Sequence, residues 1–143
     1  MRVEYLRWSL LPLLLSAAAP TLACGPLEGA WQLSYALYRD LQGKVVHEDV
    51  NGATRALKVL SPRHFSFITQ APDGKLVAAG AGTWSLQGDA YTEVLGYASS
   101  DQLMGKTYRF RCEMRDGTWI HSGREDHLLI EEHWTPARDA AAG

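Results

Sequence analysis

Alternation of apolar and polar residues, interrupted by short turn signals, is the feature of this chain that most limits its fold. After Cys24 no segment keeps the 3.6-residue period of an amphipathic helix, whereas the two-residue period of a strand recurs. Pairs such as Asp73-Gly74 and Asp116-Gly117 supply the backbone dihedrals of tight turns between these runs. The predicted strands are 29–39, 56–60, 64–70, 76–81, 82–86, 91–97, 105–114, 119–122 and 128–134.

Short strands separated by frequent turn signals are typical of an all-β sandwich or barrel. Successive hairpins without a long return connection favour a single antiparallel up-and-down β-barrel of about eight strands. A barrel of that size is either filled by side chains or holds one small ligand. The polar stretch 40–52 is predicted as a loop with at most a short hairpin inside it. Gly80 and Gly82 predict a bulge or a sharp bend, which barrel corners need.

Two glutamates, Glu93 and Glu132, occupy positions on the apolar faces of predicted strands. A buried carboxylate is costly unless it has a partner, so two of them predict a polar site within an apolar interior. Such a mixture is typical of a small-molecule pocket. The residues predicted to share these faces are Tyr91, Leu95 and Tyr97 with Glu93, and Leu128, Ile130 and Trp134 with Glu132.

The first residues are predicted to be a secretory signal peptide rather than part of the domain. Arg2 and Arg7 give a positive start, an apolar stretch covers 10–15, and small residues follow. The apolar stretch is too short for a transmembrane helix. Cleavage after Ala23 would make 1–23 the signal, 24–136 the exported domain and 137–143 a disordered tail.

Cys24 would then be the first residue of the exported chain. Three interpretations of the two cysteines, Cys24 and Cys112, stay open. Bacterial lipoproteins are cut before a Cys that carries lipid, which would attach the protein to a membrane. Cys24 and Cys112 are the two cysteines, so a disulfide in an oxidising compartment is the second interpretation. In the third, Cys112 is a plain buried thiol. The predicted location is the periplasm or, with lipid, a membrane surface.

The composition limits the classes of partner that the protein is expected to bind. The chain has 143 residues, of which 46% are hydrophobic and 21% charged, and its formal net charge is −2. This balance suits one globular domain, and the lack of a basic run argues against a nucleic-acid partner. No Gly-x-Ser-x-Gly sequence and no phosphate-binding glycine loop occurs, so no cofactor is predicted.

The sequence resembles the lipocalin-like domain proteins of bacteria, which belong to the calycin group. The resemblance implies a barrel that holds a small ligand, and it supplies no catalytic residue. One position departs from the lipocalin pattern, because only Arg138 is placed to stack on the Trp31 indole from beyond the last strand. The segments that carry the resemblance are Gly29-Ala30-Trp31, His64-Phe65, Asp73-Gly74-Lys75, 80–84, Tyr91-Thr92-Glu93, 119–123 and 131–134.

We therefore predict an exported lipocalin-like binding protein for a small hydrophobic or amphipathic molecule, whose cationic or hydroxyl-bearing end would meet the carboxylates. Aromatic residues would line the cavity, and glutamates and histidines would supply its polar contacts. The predicted ligand-binding residues are Trp31, Tyr35, His64, Phe67, Trp84, Tyr91, Glu93, Tyr108, His121, Glu132 and Trp134.

Three alternatives remain at this point. Glu93, Glu132 and His121 could act as general acid and base in a small barrel enzyme, of an isomerase or hydrolase type. His64 and His121 with one of the two glutamates could form a metal site, although their spacing matches no compact motif. In the third, the barrel is fully packed, and the glutamates are satisfied by neighbouring side chains.

Overall fold

The computed structural model describes residues 24–138, and all of its regular elements are β-strands. The predicted signal peptide, 1–23, and the tail from residue 139 lie outside the described residues. No helix between Cys24 and Arg138 has the length and hydropathy to cross a membrane. The strands are β1 (Gly29–Asp40), β2 (Val45–Asp49), β3 (Arg55–Leu60), β4 (His64–Gln70), β5 (Leu76–Gln87), β6 (Ala90–Ala98), β7 (Thr107–Arg115), β8 (Thr118–Glu125) and β9 (Leu128–Pro136).

The strands form one antiparallel sheet that closes into a barrel. From β3 to β9 each strand pairs with the next in sequence, and β9 pairs back onto β1. On its other edge β1 pairs with β3 through residues 29–32 and with β2 through residues 36–39. Because β2 and β3 share one edge of β1, the nine strands fill eight positions around the barrel. The predicted up-and-down barrel is confirmed.

The stretch predicted as a loop contains β2, which forms a hairpin with β1. The side chain of Asp40 explains the turn, because its Oδ1 accepts hydrogen bonds from the amides of Gln42 and Lys44. Gly43 adopts a φ of 87°, which glycine tolerates without strain. A local Asx-type turn therefore lets a polar segment continue the sheet without burying apolar side chains.

The two ends of the barrel differ. At the closed end, Leu27 is buried beneath β1 and its carbonyl accepts a 2.8 Å hydrogen bond from Trp31 Nε1. Cys24 and Cys112 form a disulfide at this end, with their Cα atoms 5.7 Å apart. The other end, here called the open end, is surrounded by the connections 41–44, 50–54, 71–75, 99–106 and 126–127. A buried aromatic layer at the closed end, which includes Trp119, therefore forms the floor beneath an open mouth.

A bulge in β1 reverses the face of one predicted binding residue. The pairing of β1 with β9 shifts register between Leu33 and Tyr35. Tyr35 then turns outward, where its hydroxyl donates to Glu48 at 3.2 Å and its ring lies 4.8 Å from that of His133. The prediction that Tyr35 faces the interior was wrong, because an extra residue in one strand inverts the alternation beyond it.

A second bulge lies in β6, opposite the glycines of β5. The pairing of β5 with β6 shifts register between Ala81 and Gly82. Tyr91, Glu93 and Leu95 are buried as predicted, but Tyr97 lies beyond the shift and is 74% exposed. The extra residue is Gly96 of β6 rather than a glycine of β5, and the predicted inward position of Tyr97 was wrong for the same geometric reason as that of Tyr35.

We expect Gly82→Ala to destabilise the barrel by about 1–3 kcal/mol. A Cβ at this position would overlap the carbonyl oxygen of Val94, which is backbone and cannot move without breaking the β5–β6 pairing. Gly96→Ala is the matched control, because nothing lies within 4 Å of a Cβ there. Urea denaturation of both variants measures the effect. Equal unfolding free energies would contradict the close approach at Gly82.

Candidate functional site

A cavity of about 170 Å³ occupies the open half of the barrel. Its wall is largely apolar and aromatic, and its lysine, glutamate and histidine groups come from four strands on the inner face. Val77, which is exposed, and Leu103, from the connection between β6 and β7, lie at its mouth. The lining residues are Leu33, Tyr38, Ala56, Lys58, Phe67, Thr69, Val77, Ala78, Glu93, Leu95, Leu103, Tyr108, Phe110, His121, Glu125, Glu132 and Trp134.

A buried ion pair lies at the base of the cavity. Lys58 Nζ donates to Glu93 Oε1 at 2.5 Å, and the two residues are only 5% and 4% exposed. The hydroxyl of Tyr91 donates to the same oxygen at 2.8 Å. The ammonium group also lies 5.2 Å from the ring centre of Trp134 and 5.5 Å from that of Trp119, within reach of cation–π attraction. Lys58 therefore supplies the charge that makes burial of Glu93 tolerable.

The second predicted carboxylate, Glu132, has neutral partners. Tyr38 donates its hydroxyl hydrogen to Oε1 at 2.7 Å, and Trp134 Nε1 donates to Oε2 at 3.1 Å. Burial raises the pKa of Glu132 above its ordinary value, while the charge of Lys58 and the Tyr38 hydrogen bond oppose that rise. Burial also raises the pKa of Tyr38, so the phenol keeps its proton for the hydrogen bond.

A third carboxyl group, Glu125, lies at the end of β8 and lines the same cavity. Burial, followed by the nearby charge of Glu132, raises its pKa to about 7. Among residues 24–138 no donor forms a hydrogen bond or an ion pair with its carboxylate. Glu125 is therefore an acidic group in the cavity wall whose protonation changes near neutral pH.

His121 is buried beside these carboxyl groups, with 1% of its surface exposed. Its ring lies 3.8 Å from that of Phe110, and burial followed by the charge of Lys58 holds its pKa well below the usual value. The imidazole is thus neutral at pH 7. Its Nδ1 has no hydrogen-bond partner within the described chain. An unpaired buried nitrogen is unusual and costs free energy. The hydrogen-bonding capacity of His121 is therefore not filled by the described residues.

The structure brings together six of the eleven predicted binding residues. These six line the cavity: Phe67, Glu93, Tyr108, His121, Glu132 and Trp134. Tyr35 and His64 lie outside the barrel, since Tyr35 follows the bulge and His64 is exposed at the closed end of β4. Trp31, Trp84 and Tyr91 belong to the closed half, below the residues that line the cavity. Strand alternation identifies the inner face and does not say how deep along the barrel a residue lies.

Two charged residues of the cavity were missed. Lys58 shares its face with Ala56 and Leu60, whereas Leu57 and Val59 point outward and are 41% and 42% exposed. Both faces of β3 are thus equally apolar in sequence, and the usual preference of lysine for water suggests the wrong one. Glu125 was missed because its strand was predicted to end at residue 122, whereas β8 continues to Glu125.

The predicted metal set does not assemble. His64 is on the outer surface, and His121 lines the cavity. Over the described range, 24–138, no group of three or more His, Cys, Asp or Glu residues could hold a metal ion. Glu93, Glu132 and His121, which were named for acid–base chemistry, do lie together around the cavity.

We expect Glu125→Gln to change the pH dependence of stability. The pKa of Glu125 is about 7 in the folded state against an ordinary value of 4.5, so the folded state binds this proton more tightly. Its contribution is fully present below pH 4.5 and is lost as the pH rises through 7. The variant should match the wild type at pH 4 and be more stable by about 1–3 kcal/mol at pH 8. Thermal and urea unfolding at both pH values measure this difference, and a variant less stable at pH 8 would contradict it.

Comparison with known proteins agrees with this architecture. A crystal structure of a lipocalin-like protein from Bacteroides uniformis superimposes with a TM-score of 0.52 at 20% sequence identity. The match covers 79% of this chain and 100% of that chain. No protein-family model and no curated protein matches the sequence. At this identity the likeness concerns the fold, and the chain has the lipocalin-like fold, a closed antiparallel barrel of eight strands.

Proposed function

We propose that this protein is an exported carrier that holds one small, partly apolar molecule inside its barrel. The observation that carries the proposal is the cavity of about 170 Å³, open at one end and closed at the other by packed aromatic residues. Apolar walls with a few converging polar groups are the usual form of a small-molecule site. A fully packed barrel would not leave such a space.

Export is supported by two features. The sequence predicts a signal peptide over 1–23, and Cys24 is paired with Cys112 at the closed end. Disulfides persist in oxidising compartments such as the bacterial periplasm and are rare in the cytosol. A lipid on Cys24 would use the same sulfur atom, so a disulfide-bonded protein is held in the periplasm without that anchor.

The experiment is native mass spectrometry of the protein purified from its host without refolding. We expect an organic adduct that leaves on denaturation and gives the ligand's mass. Ala78→Leu fills the mouth of the cavity and should abolish the adduct. Ala79→Leu is the matched control, because Ala79 pairs with Ile68 on the outer face and does not line the cavity.

The two variants separate the outcomes. An adduct that is lost in Ala78→Leu and kept in Ala79→Leu supports a ligand inside the barrel. If the adduct survives in both variants, the molecule is bound elsewhere on the surface, and this result contradicts the proposal. A bare wild-type chain that also takes up no small molecule when titrated would leave the cavity without a carrier role.

A further inference from the structure

We propose that the ligand is a small organic cation, an amine with an apolar body, whose ammonium group lies against Glu125 and Glu132. This inference rests on the proposed carrier function and specifies the chemistry of its ligand. It follows from unfilled hydrogen-bond acceptors in the cavity, from the charge balance around it, and from the aromatic character of its walls.

Several acceptors of the cavity lack a donor within the described residues. Neither oxygen of Glu125 accepts a hydrogen bond from a described residue, and at Glu93 both donors, Lys58 and Tyr91, bond to Oε1. His121 adds a neutral imidazole, 1% exposed, with one acceptor nitrogen and one N–H donor, which hydrogen-bonds to no described residue and lines the same space. A ligand that donates hydrogen bonds would fill these sites, and a protonated amine carries two or three donors on one atom.

The charge balance favours a positive ligand. Three carboxyl groups face the cavity, from Glu93, Glu125 and Glu132, against the single ammonium group of Lys58. Lys58 is already bound to Glu93 at 2.5 Å. An anionic ligand would have to displace Glu93 from that buried pair and would then lie beside two further carboxyl groups. A cationic ligand meets the unpartnered Glu125 instead and leaves the Lys58–Glu93 pair intact.

The walls suit the rest of such a molecule. Phe67, Tyr108, Phe110 and Trp134 contribute aromatic rings to the cavity, with Leu33 and Leu95 beside them. Aromatic faces attract ammonium groups as well as apolar surface. The barrel already uses this attraction for Lys58, whose Nζ lies within 6 Å of the ring centres of Phe65, Tyr91, Trp119 and Trp134.

Binding of a cation should depend on pH through Glu125. The charged groups around it are Lys58 on β3, Glu93 on β6, Glu132 on β9 and Asp126 in the following turn, and the phenols of Tyr38 and Tyr108 lie nearby. Since the pKa of Glu125 is about 7, its carboxyl group is largely protonated at pH 6 and must lose that proton to pair with an ammonium group. The affinity for an amine should therefore rise about tenfold between pH 6 and pH 8, with a proton released on binding.

Isothermal titration calorimetry with three matched probes tests the inference. The probes are 2-phenylethylamine, 2-phenylethanol and 3-phenylpropionate, which present a cation, a neutral donor and an anion on the same ring. At pH 8 we expect the amine to bind at least tenfold more tightly than the alcohol and the acid. Glu125→Gln should weaken amine binding at least tenfold and leave alcohol binding unchanged. Glu28→Gln, at an exposed position outside the cavity, should change neither.

Each remaining outcome decides against the inference. Equal or tighter binding of the alcohol or the acid would overturn the ligand class and leave the carrier proposal standing, because the cavity would still hold a small molecule. Amine binding that is insensitive to Glu125→Gln would place the ammonium group elsewhere and overturn the site. Absence of binding by all three probes would overturn the amine inference, and the native mass spectrum then decides separately on the carrier function. If Glu125→Gln fails to fold, the order of the three wild-type affinities decides.

Discussion

Lys58→Met is expected to lower the free energy of unfolding by about 3–5 kcal/mol, because it leaves a carboxylate uncompensated in the interior. Methionine keeps the length and the apolar stem of the side chain, so little packing is lost. What disappears is the 2.5 Å contact of the ammonium group with Glu93 and its attraction to the surrounding aromatic rings. The hydroxyl of Tyr91 remains as the partner of Glu93, and alone it does not supply a positive charge.

Urea denaturation of Lys58→Met measures this loss of stability. Two further variants serve as comparisons. Lys75→Met removes an exposed lysine paired with Asp73 at 3.0 Å and should change stability by less than about 0.5 kcal/mol. Lys58→Met combined with Glu93→Gln removes both charges and should recover part of the loss. A Lys58→Met variant as stable as Lys75→Met would show that the pair does not form in the interior.

Replacing both cysteines by alanine should lower the free energy of unfolding by about 4 kcal/mol, since the disulfide closes a long loop in the unfolded chain. Cys24 and Cys112 are 88 positions apart in sequence, and the bond ties the start of the described chain to β7 at the closed end. Its loss frees the segment that holds Leu27 in the buried cluster at the closed end. We therefore expect this end to become the first part of the barrel to exchange its amide hydrogens.

Denaturant unfolding with and without a reducing agent measures this contribution. We expect the reduced wild type and the double alanine variant to lose the same free energy of unfolding. Because the reduced wild type keeps both sulfur atoms, this comparison separates the effect of the bond from the packing of the sulfur atoms. Intact mass decides the chemistry at Cys24: two hydrogens fewer than the reduced chain indicate the disulfide. A diacylglycerol adduct on Cys24 would contradict it and would place the protein on a membrane.

Sequence alone was sufficient for the fold and for the chemical character of the interior. The alternation along β6 and β9 located Glu93 and Glu132 on inner faces, and the structure shows both carboxyl groups in the cavity wall. Gly82 marked a special position of β5, because a residue without a Cβ was needed where the chain approaches Val94. These inferences succeeded because period-two alternation and close backbone contacts leave a local mark on the sequence.

Other features of the site depend on relations that no local pattern contains. Lys58 is inside because Glu93, 35 positions away, provides a partner across the barrel, and only the closed barrel brings them together. Tyr35 and Tyr97 lie on the outer face instead of the predicted inner face, because bulges shift the alternation by one residue. Trp84 and Tyr91 were correctly placed toward the interior side, but their depth follows from the stagger of the strands, which fixes them below the cavity.

The indole N–H resonances of the protein provide the most direct test that a ligand occupies this cavity. Trp134 lines the cavity and its Nε1 donates to Glu132, whereas Trp84 lies at the closed end and its Nε1 donates to Ser61. In ¹H–¹⁵N spectra recorded while 2-phenylethylamine is added, we expect the Trp134 indole signal to shift progressively to saturation and the Trp84 signal to stay in place. A Trp134 signal that does not move, or a shift confined to Trp84, would contradict binding of the amine inside the barrel.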